Sequence, residues 1–394
     1  MDAYIVSAVR TAIGKFEGTL KGFPVQKLGA IVIEEAVKRA GIEKNLVEEV
    51  IMGNVLQAGL GQNPARQSAI YAGIPYEAGA LTVNKVCGSG MKAIMLAASE
   101  IRAGDIDVAV CGGMESMNNA PYLLDRARFG YRMSMPKADI IDEMVYDGLW
   151  DVYNKFPMGM TGEIIAQKYN LTREEIDAFA LRSNQRAVKA TKEGRFKDEI
   201  VAVELEGKKG EKIVFDKDEG PREDTSMEKL ARLKPVFKEG GVVTAGNASQ
   251  ISDGAAAVVV MSEKAVKEYG VKPLVKIHSY AFSGTKPELV MDAPVPTVKK
   301  LLSKTGLKIE DFDLVEHNEA FASASVAIQK VFSIPDDRFN VNGGAVALGH
   351  PIGCSGARIT VTLIHEMLKR NAHMGLATVC LGGGNATAIV VEQA

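Results

Sequence analysis

One cysteine stands where nucleophilic chemistry is feasible. The stretch VCGSGMKA, residues 86–93, places Cys87 just ahead of Gly88, Ser89, Gly90 and a helical run. A core cysteine needs no such turn, whereas a nucleophile must stand clear of the backbone that supports it. Because a helix N-terminus favours thiolate over thiol, we expect the pKa of Cys87 to fall from about 8.5 into the range of roughly 3.5–7.5. A small residue buried under a tight turn is the structural alternative.

A histidine suited to general-base work lies in a second glycine-rich turn. The stretch NGGAVALGHPIGCSGAR, residues 342–358, surrounds His350 with five glycines and follows it with a proline. Imidazole exchanges protons near neutral pH, so His350 is a candidate base, although a lone histidine is more often structural. Cys354 precedes the next helix, but no base stands in an obvious relation to it.

Two further segments end strands with polar groups. In TVCLGGGNATA, residues 378–388, Cys380 precedes three glycines whose N–H groups are able to bind an oxyanion. In EHNEAFASASVAIQK, residues 316–330, a polar cluster of His317, Asn318 and Glu319 precedes an apolar helix. Open α/β sheets place ligands at the carboxyl ends of strands, whereas a helix cap is the simpler interpretation of Asn318.

Composition and motifs exclude several classes of protein. Lysine plus arginine total 47 and aspartate plus glutamate 49, which disfavours a nucleic-acid binder. The four cysteines form no C-x-x-C pair, and no phosphate-binding glycine motif is present, so zinc, redox-dithiol and nucleotide-loop sites are disfavoured. The N-terminal stretch reads as a buried strand and the apolar run 374–391 as two strands around a glycine turn, so we expect a cytoplasmic protein without membrane contact.

The elements that must position these residues alternate between strand and helix. Residues 28–41 and 89–104 read as amphipathic helices ending at glycines, and residues 48–55 and 107–113 read as buried strands. This alternation predicts an α/β fold. The sequence around Cys87 is echoed around Cys354 by Val-Asn, a glycine-rich turn, a helix and a strand, in the same order, which indicates two copies of one αβ unit.

An insertion separates the copies. We predict a first half at 1–117 plus 242–270, an inserted loop domain at 118–241 and a second half at 271–394. The insertion holds half of the aromatic residues and begins a helix with a Thr172…Glu175 capping box. A solvated linker suits residues 206–224, but not the apolar run 144–150.

Taken together, these segments resemble the thiolases, the acyl-CoA C-acyltransferases. NKVCGSGMKA, NEAFA, NGGAVALGHPIGCSGAR and CLGGG match the four signature segments of that family in the right order, and the resemblance covers essentially the whole chain. It implies two similar βαβαβαββ halves, each with a five-stranded sheet, in a five-layered αβαβα sandwich with an inserted loop domain.

The resemblance also implies roles for the catalytic residues. Cys87 takes the acyl group as a thioester, His350 accepts the proton of Cys87, and Cys380 removes the α-proton of the second acetyl-CoA. Asn318 holds a water that stabilises the enolate together with His350, and the N–H groups of Cys87 and Gly382 form the other oxyanion hole. The reaction is reversible Claisen condensation of two acetyl-CoA molecules to acetoacetyl-CoA and CoA. Coenzyme A is the substrate handle, so no metal or other cofactor is expected.

The coenzyme A channel and the assembly follow from the same resemblance. A homotetramer, a dimer of dimers, is implied by the segment 121–150, while Pro157 and Ala386 depart from common family residues and leave acyl-chain length open. The residues implied to line the channel are Met158, Arg222, Leu233, Ala248, Ser249, Met291 and Phe321.

Three alternatives stay open from the sequence. A degradative 3-ketoacyl-CoA thiolase of broader chain length is the nearest. A catalytically silent acyl-CoA-binding or scaffold protein on the same fold ranks low, because Cys87, Asn318, His350 and Cys380 are all present. A simple cysteine hydrolase is disfavoured, because it has no need of a second cysteine at position 380.

Overall fold

The computed structural model describes residues 2–131, 139–207 and 210–394. The predicted alternation of helices and strands is confirmed there. The helices are α1 (Val25–Ala40), α2 (Pro64–Tyr71), α3 (Ser89–Ala103), α4 (Gly159–Lys168), α5 (Arg173–Lys192), α6 (Met227–Ala231), α7 (Glu263–Glu268), α8 (Pro294–Thr305), α9 (Ala322–Phe332), α10 (Ala345–Leu348) and α11 (Ile352–Arg370). The strands are β1 (Ala3–Thr11), β2 (Gly14–Lys15), β3 (Glu49–Gly53), β4 (Gly79–Val83), β5 (Val108–Ser116), β6 (Tyr122–Leu123), β7 (Ile141–Asp142), β8 (Trp150–Asp151), β9 (Phe156–Pro157), β10 (Ile200–Val201), β11 (Val203–Glu206), β12 (Lys212–Phe215), β13 (Ser252–Ser262), β14 (Val275–Gly284), β15 (Leu314–His317), β16 (Met374–Leu381) and β17 (Asn385–Gln393).

The main sheet repeats one pairing pattern. Its order is β15-β16-β17-β14-β1-β13-β5-β3-β4. From β1 outwards, β1 pairs antiparallel with β13, and β13 pairs antiparallel with β5. Strand β5 then pairs parallel with β3, and β3 pairs parallel with β4. From β14 the series through β17, β16 and β15 is the same, but its last place holds only a single parallel bridge between Val315 and Phe339. The two copies are therefore confirmed, and the second has four full strands instead of the expected five.

The halves meet through both strands and helices. Tyr4 and Ile5 of β1 pair with Lys276 and Val275 of β14, so one continuous sheet joins the two copies. Helices α3 and α11 lie against each other, and each also packs on strands of the sheet. Outside them, α1 and α2 cover the first half and α8 and α9 the second. The result is five alternating layers of helix and strand, with α3 and α11 in the middle.

Local chemistry explains where the central elements begin and end. Helix α3 buries Ile94, Ala97, Ala98 and Ile101 on one face. It ends at Gly104, whose φ of 86° is a left-handed conformation that glycine adopts without a Cβ penalty. Helix α5 begins with the expected capping box, in which Thr172 and Glu175 each accept from the other's backbone N–H.

The section between β5 and β13 contains the helices α4, α5 and α6. It also contains the short strand pairs β6–β7, β8–β9 and β11–β12, and the short strand β10, which pairs with β1. The apolar run Met144–Leu149 forms a helical turn with no fully buried residue. Residues 132–138, inside the segment expected to mediate tetramer formation, lie outside the described residues. The prediction for that segment stays a prediction.

Candidate active site

Cys87 lies on a strained turn between β4 and α3. Val86, the residue before it, has a φ of 47°, which a β-branched residue adopts at a cost of roughly 1–3 kcal/mol. Hydrogen bonds hold the turn, because the Ser89 hydroxyl donates to the Val86 carbonyl at 2.6 Å and the Val86 N–H donates to the Asn84 side chain at 3.1 Å. The turn thus holds Cys87, a half-buried residue, in a fixed direction.

The turn of Cys87 lies directly on the strand end that carries Cys380. A Cβ placed on Gly88 would stand 2.4 Å from Leu381, so only glycine permits this approach. The N–H groups of Gly382 and of Cys87 itself donate to the Cys87 sulfur. Two backbone donors therefore converge on the position where an acyl oxygen on this sulfur would develop charge.

The expected lowering of the Cys87 pKa is wrong. Burial raises the pKa of this thiol to about 12, and the N–H groups of Gly382 and Cys87 offset only part of that effect. Desolvation of the thiolate outweighs the helix N-terminus, because the charged form loses water contacts and gains only two donors. Cys87 is consequently a neutral thiol near pH 7 and needs a base to become a nucleophile.

This pKa makes a testable prediction for alkylation. Only the thiolate reacts with iodoacetamide, so the rate at Cys87 should rise about tenfold per pH unit between about pH 7 and pH 9 without levelling off. The rate is followed by mass spectrometry of the Cys87 peptide. The urea-unfolded chain serves as control, because its thiols should level off above about pH 8.5. A plateau below pH 8 in the folded protein, as a lowered pKa requires, would contradict the assignment.

His350 is held as a neutral base by Ser355. The ring nitrogen Nδ1 lies 2.6 Å from the Ser355 hydroxyl oxygen, and that hydroxyl donates its own proton to the Pro351 carbonyl at 2.9 Å. The serine oxygen must therefore accept from Nδ1–H, which leaves Nε2 without a proton. Burial, assisted by the charge of Arg358, lowers the pKa of His350 to about 3. At neutral pH the imidazole is uncharged and able to accept a proton at Nε2.

Removing the Ser355 hydroxyl should leave His350 free to adopt either of its neutral tautomers. In metal sites, losing a partner that orients an imidazole costs about 10–100-fold in activity, and we expect a similar loss in turnover for Ser355→Ala. The ¹⁵N chemical shifts of labelled His350 should change from one protonated Nδ1 to a mixture of tautomers. Ser355→Thr, which keeps the oxygen, is the matched control. Unchanged shifts in Ser355→Ala would exclude this role for the serine.

Asn318 is the member of its polar cluster that reaches His350. The amide nitrogen of Asn318 lies 3.4 Å from Nε2 and 3.5 Å from Nδ1 of His350. Because it is almost equally far from both ring nitrogens, it does not point directly at either of them. The Asn318 side-chain oxygen is buried and has no hydrogen-bond partner within the described ranges. His317 instead contacts Ser325, and Glu319 accepts hydrogen bonds from Ser183, Asn340 and Val346.

Cys380 lies on the floor of the site. It is 1% exposed, and its thiol donates to the Met291 sulfur at 3.6 Å. Burial raises the pKa of this thiol, and the neighbouring charge on Cys87 would raise it further. Leu381, the next residue, contacts Gly88 of the Cys87 turn, and the N–H of Gly382 faces the Cys87 sulfur, so the strand end that carries Cys380 adjoins the turn that carries Cys87.

Two glycines bring the turn of His350 close to the turn of Cys87. A Cβ on Gly90 of α3 would stand 2.9 Å from the Ala357 nitrogen, and one on Gly356 of α11 would stand 2.6 Å from the Met91 nitrogen. The two helices consequently cross at backbone contact. Ile352, two residues after His350, shares a hydrophobic cluster with Cys87.

Sequence reasoning missed one buried carboxylate that holds these turns together. Glu115 accepts from the N–H groups of Val55, Leu56 and Gly353 at 3.0, 3.2 and 2.8 Å and from the Asn54 amide at 2.7 Å. Burial raises the pKa of Glu115 to about 8, although these donors oppose the shift. The sequence signal for Glu115 was a charged residue directly after Gly-Gly-Met near the end of a buried strand.

The residues expected to line a coenzyme A channel fall into three adjoining places. Arg222 and Leu233 line a surface groove together with Asn184, Lys229 and Gln250. On the floor, Ala248 bridges Phe321, the Ser249 N–H donates to the Ala320 carbonyl, and Met291 and Phe321 belong to the hydrophobic cluster of Cys380. Met158 lines an opening beside Val86 and Gly382.

The described parts of the chain contain no group of three or more histidine, cysteine, aspartate or glutamate side chains arranged to hold a metal ion. Among those same residues, no helix is both long enough and apolar enough to cross a membrane.

Comparison with known proteins relates these features to one family. The model of the thiolase N-terminal domain matches residues 3–264, and that of the thiolase C-terminal domain matches residues 271–393. An acetyl-CoA acetyltransferase of Syntrophomonas wolfei is 56% identical, over 99% of both chains. One of Pseudomonas aeruginosa is 51% identical, over 100% of this chain and 99% of its own.

A solved structure agrees with the sequence relatives. The crystal structure of the Bacillus anthracis acetyl-CoA acetyltransferase superposes with a TM-score of 0.97 at 43% identity, covering 100% of this chain and 99% of that one. The predicted fold and family are both confirmed. This chain belongs to the thiolase family.

Proposed function

We propose that this protein is an acetyl-CoA C-acetyltransferase that joins two acetyl-CoA molecules into acetoacetyl-CoA and CoA, and cleaves the product in reverse. One observation carries the proposal. The turn of Cys87 lies against the strand end that carries Cys380, and two N–H groups are directed at the Cys87 sulfur. The relatives named above carry the same activity in their names.

In the first half-reaction, Cys87 becomes acetylated. His350 accepts the thiol proton at Nε2, and the Cys87 sulfur attacks the thioester carbonyl of acetyl-CoA. The N–H groups of Cys87 and Gly382 stabilise the oxyanion, and one such donor contributes roughly 2.7–4 kcal/mol to transition states of this kind. The C–S bond to coenzyme A breaks, and its thiolate leaves with the proton from His350. The neutral His350 described above suits this role.

In the second half-reaction, a carbon–carbon bond forms. Cys380, as thiolate, removes the α-proton of a second acetyl-CoA. His350 and a water held by Asn318 stabilise the enolate oxygen, which the unpartnered Asn318 side-chain oxygen supports. The enolate carbon attacks the acetyl carbonyl, the C–S bond to Cys87 breaks, and the Cys87 thiolate takes up the proton that Cys380 had removed, which restores the Cys380 thiolate. Cys380 returns its proton when the reaction runs in reverse.

Coenzyme A would enter by the surface groove. We assign Arg222 and Leu233 to its nucleotide end, and Met158, Ala248, Ser249, Met291 and Phe321 to the pantetheine and acyl end. Arg222 is exposed on the groove, where its guanidinium is able to meet a phosphate. No metal or redox cofactor is required in this scheme. We also propose the three-part division at 1–117 plus 242–270, 118–241 and 271–394, a homotetramer, and a cytoplasmic location.

Steady-state thiolysis across a series of 3-ketoacyl-CoA chain lengths tests the activity. We expect acetoacetyl-CoA to give the highest kcat/KM, and turnover to fall as the chain grows, because Met158 and Val86 narrow the opening beside Gly382. Equal turnover of long-chain substrates would exclude an acetyl preference. A folded protein that cleaves no member of the series would exclude the enzymatic proposal itself.

A further inference from the structure

Two arginines are fully buried near the middle layer, and they differ in how they are partnered. Arg10 is 0% exposed and uses all three nitrogens, on Glu199 at 2.6 Å and on Asp218 at 2.7 and 2.9 Å. Arg358 of α11 is also 0% exposed, yet Nε and both Nη atoms have no hydrogen-bond partner among the described residues. A guanidinium carries five N–H donors, and burying them unpaired costs several kcal/mol.

A buried carboxyl group on a neighbouring strand also has an unpartnered atom. Glu316 of β15 is 2% exposed, and its Oε2 atom has no partner within the ranges that the structure describes. Burial raises the pKa of Glu316 to about 8, and Arg358 is the charged neighbour that opposes the shift most strongly. Helix α11, which carries Arg358, packs directly on β15, which carries Glu316, and the two side chains do not form a direct hydrogen bond.

We propose that ordered water bridges Arg358 to Glu316. Water accepts from guanidinium N–H groups and donates to carboxylate oxygens, so it satisfies both sets of unpartnered atoms at once. A small anion satisfies only the arginine. It would leave the buried Oε2 atom of Glu316 without a partner.

The position of this bridge gives it a place in the architecture of the active site. Glu316 lies two residues before Asn318, and Arg358 lies one helical turn after Ser355, the partner of His350. The water-bridged pair therefore links β15, which ends directly before Asn318, to α11, which begins two residues after His350. This inference does not depend on the proposed reaction.

A crystal structure at a resolution that places ordered water tests the bridge directly. We expect one or more waters within about 2.7–3.2 Å of both an Arg358 nitrogen and a Glu316 oxygen, directly or through a second water. A direct Arg358–Glu316 contact, or clear density without such water, would overturn the proposal. Crystals soaked in bromide are the second arm, because an anomalous peak beside Arg358 would identify an anion there instead.

Urea unfolding supplies a solution test. Arg358→Met and Glu316→Met should each lower the unfolding midpoint, because each leaves the remaining buried polar group without its bridged partner. The double variant should lie closer to wild type than either single variant does. Additive losses would show that the two side chains are not coupled. Lys264→Met, which removes an exposed lysine from its ion pair with Asp107, is the control for a surface charge.

Discussion

Replacing Cys87 with alanine is expected to abolish both condensation and thiolysis. Cys380, the other thiol of the site, is assigned to proton transfer, and loss of a covalent nucleophile costs on the order of 10⁶-fold in subtilisin. The helix and strands around it should persist, because Cys87 is only partly buried and alanine fits the same turn. Release of free CoA from acetyl-CoA measures the activity, and intact-protein mass spectrometry measures acetylation.

The control for Cys87→Ala is Cys111→Ala. Cys111 is 0% exposed in β5, within the core between sheet and helices, and has no place in the proposed chemistry. Its replacement should lower stability slightly and leave turnover intact. A Cys87→Ala protein that still gains the mass of an acetyl group would disprove the assignment of the nucleophile.

Replacing Cys380 with alanine is expected to separate the two half-reactions. Cys87, His350 and the N–H donors stay in place, so exchange of the acetyl group between acetyl-CoA and labelled CoA should continue. Condensation should fall by about 10²–10⁴-fold, the usual contribution of general acid–base catalysis. Isotope exchange and acetoacetyl-CoA formation are measured on the same preparation.

The ratio of these two rates makes the Cys380 experiment decisive. A variant that is merely misfolded loses exchange and condensation in parallel, whereas loss of the α-proton base affects condensation alone. Parallel loss, with an unfolding midpoint equal to wild type, would remove Cys380 from the role of base.

Much of the fold was predictable because its signals are local. The amphipathic pattern and terminal glycines of α1 and α3 depend only on residues within each helix, and both helices are present. The repeat of the αβ unit was visible for the same reason, since each copy carries its own turn, helix and strand. The pairing of β1 with β14 left no local signal, because its register is set by packing between the copies.

Residues of the candidate site could be proposed from the sequence, whereas their pKa values could not. Cys87, Asn318, His350 and Cys380 stood out through residue type and glycine context. The pKa of Cys87 could not be predicted in the same way, because burial of the sulfur affects this pKa more than the helix that follows it. Glu115 was missed since its partner Gly353 is 238 positions away in the chain. Such a contact exists only after both halves have folded against each other.

The strand order of the first half also bears on how the protein is synthesised. Strand β13 lies between β1 and β5, yet it is translated more than a hundred residues after β5, once the whole insertion has been made. A nascent chain that has emerged from the ribosome only as far as α6 holds Cys87 but lacks the strand that joins its sheet together. The nucleophile is therefore among the early residues to be synthesised, and its surroundings are among the late ones to be completed.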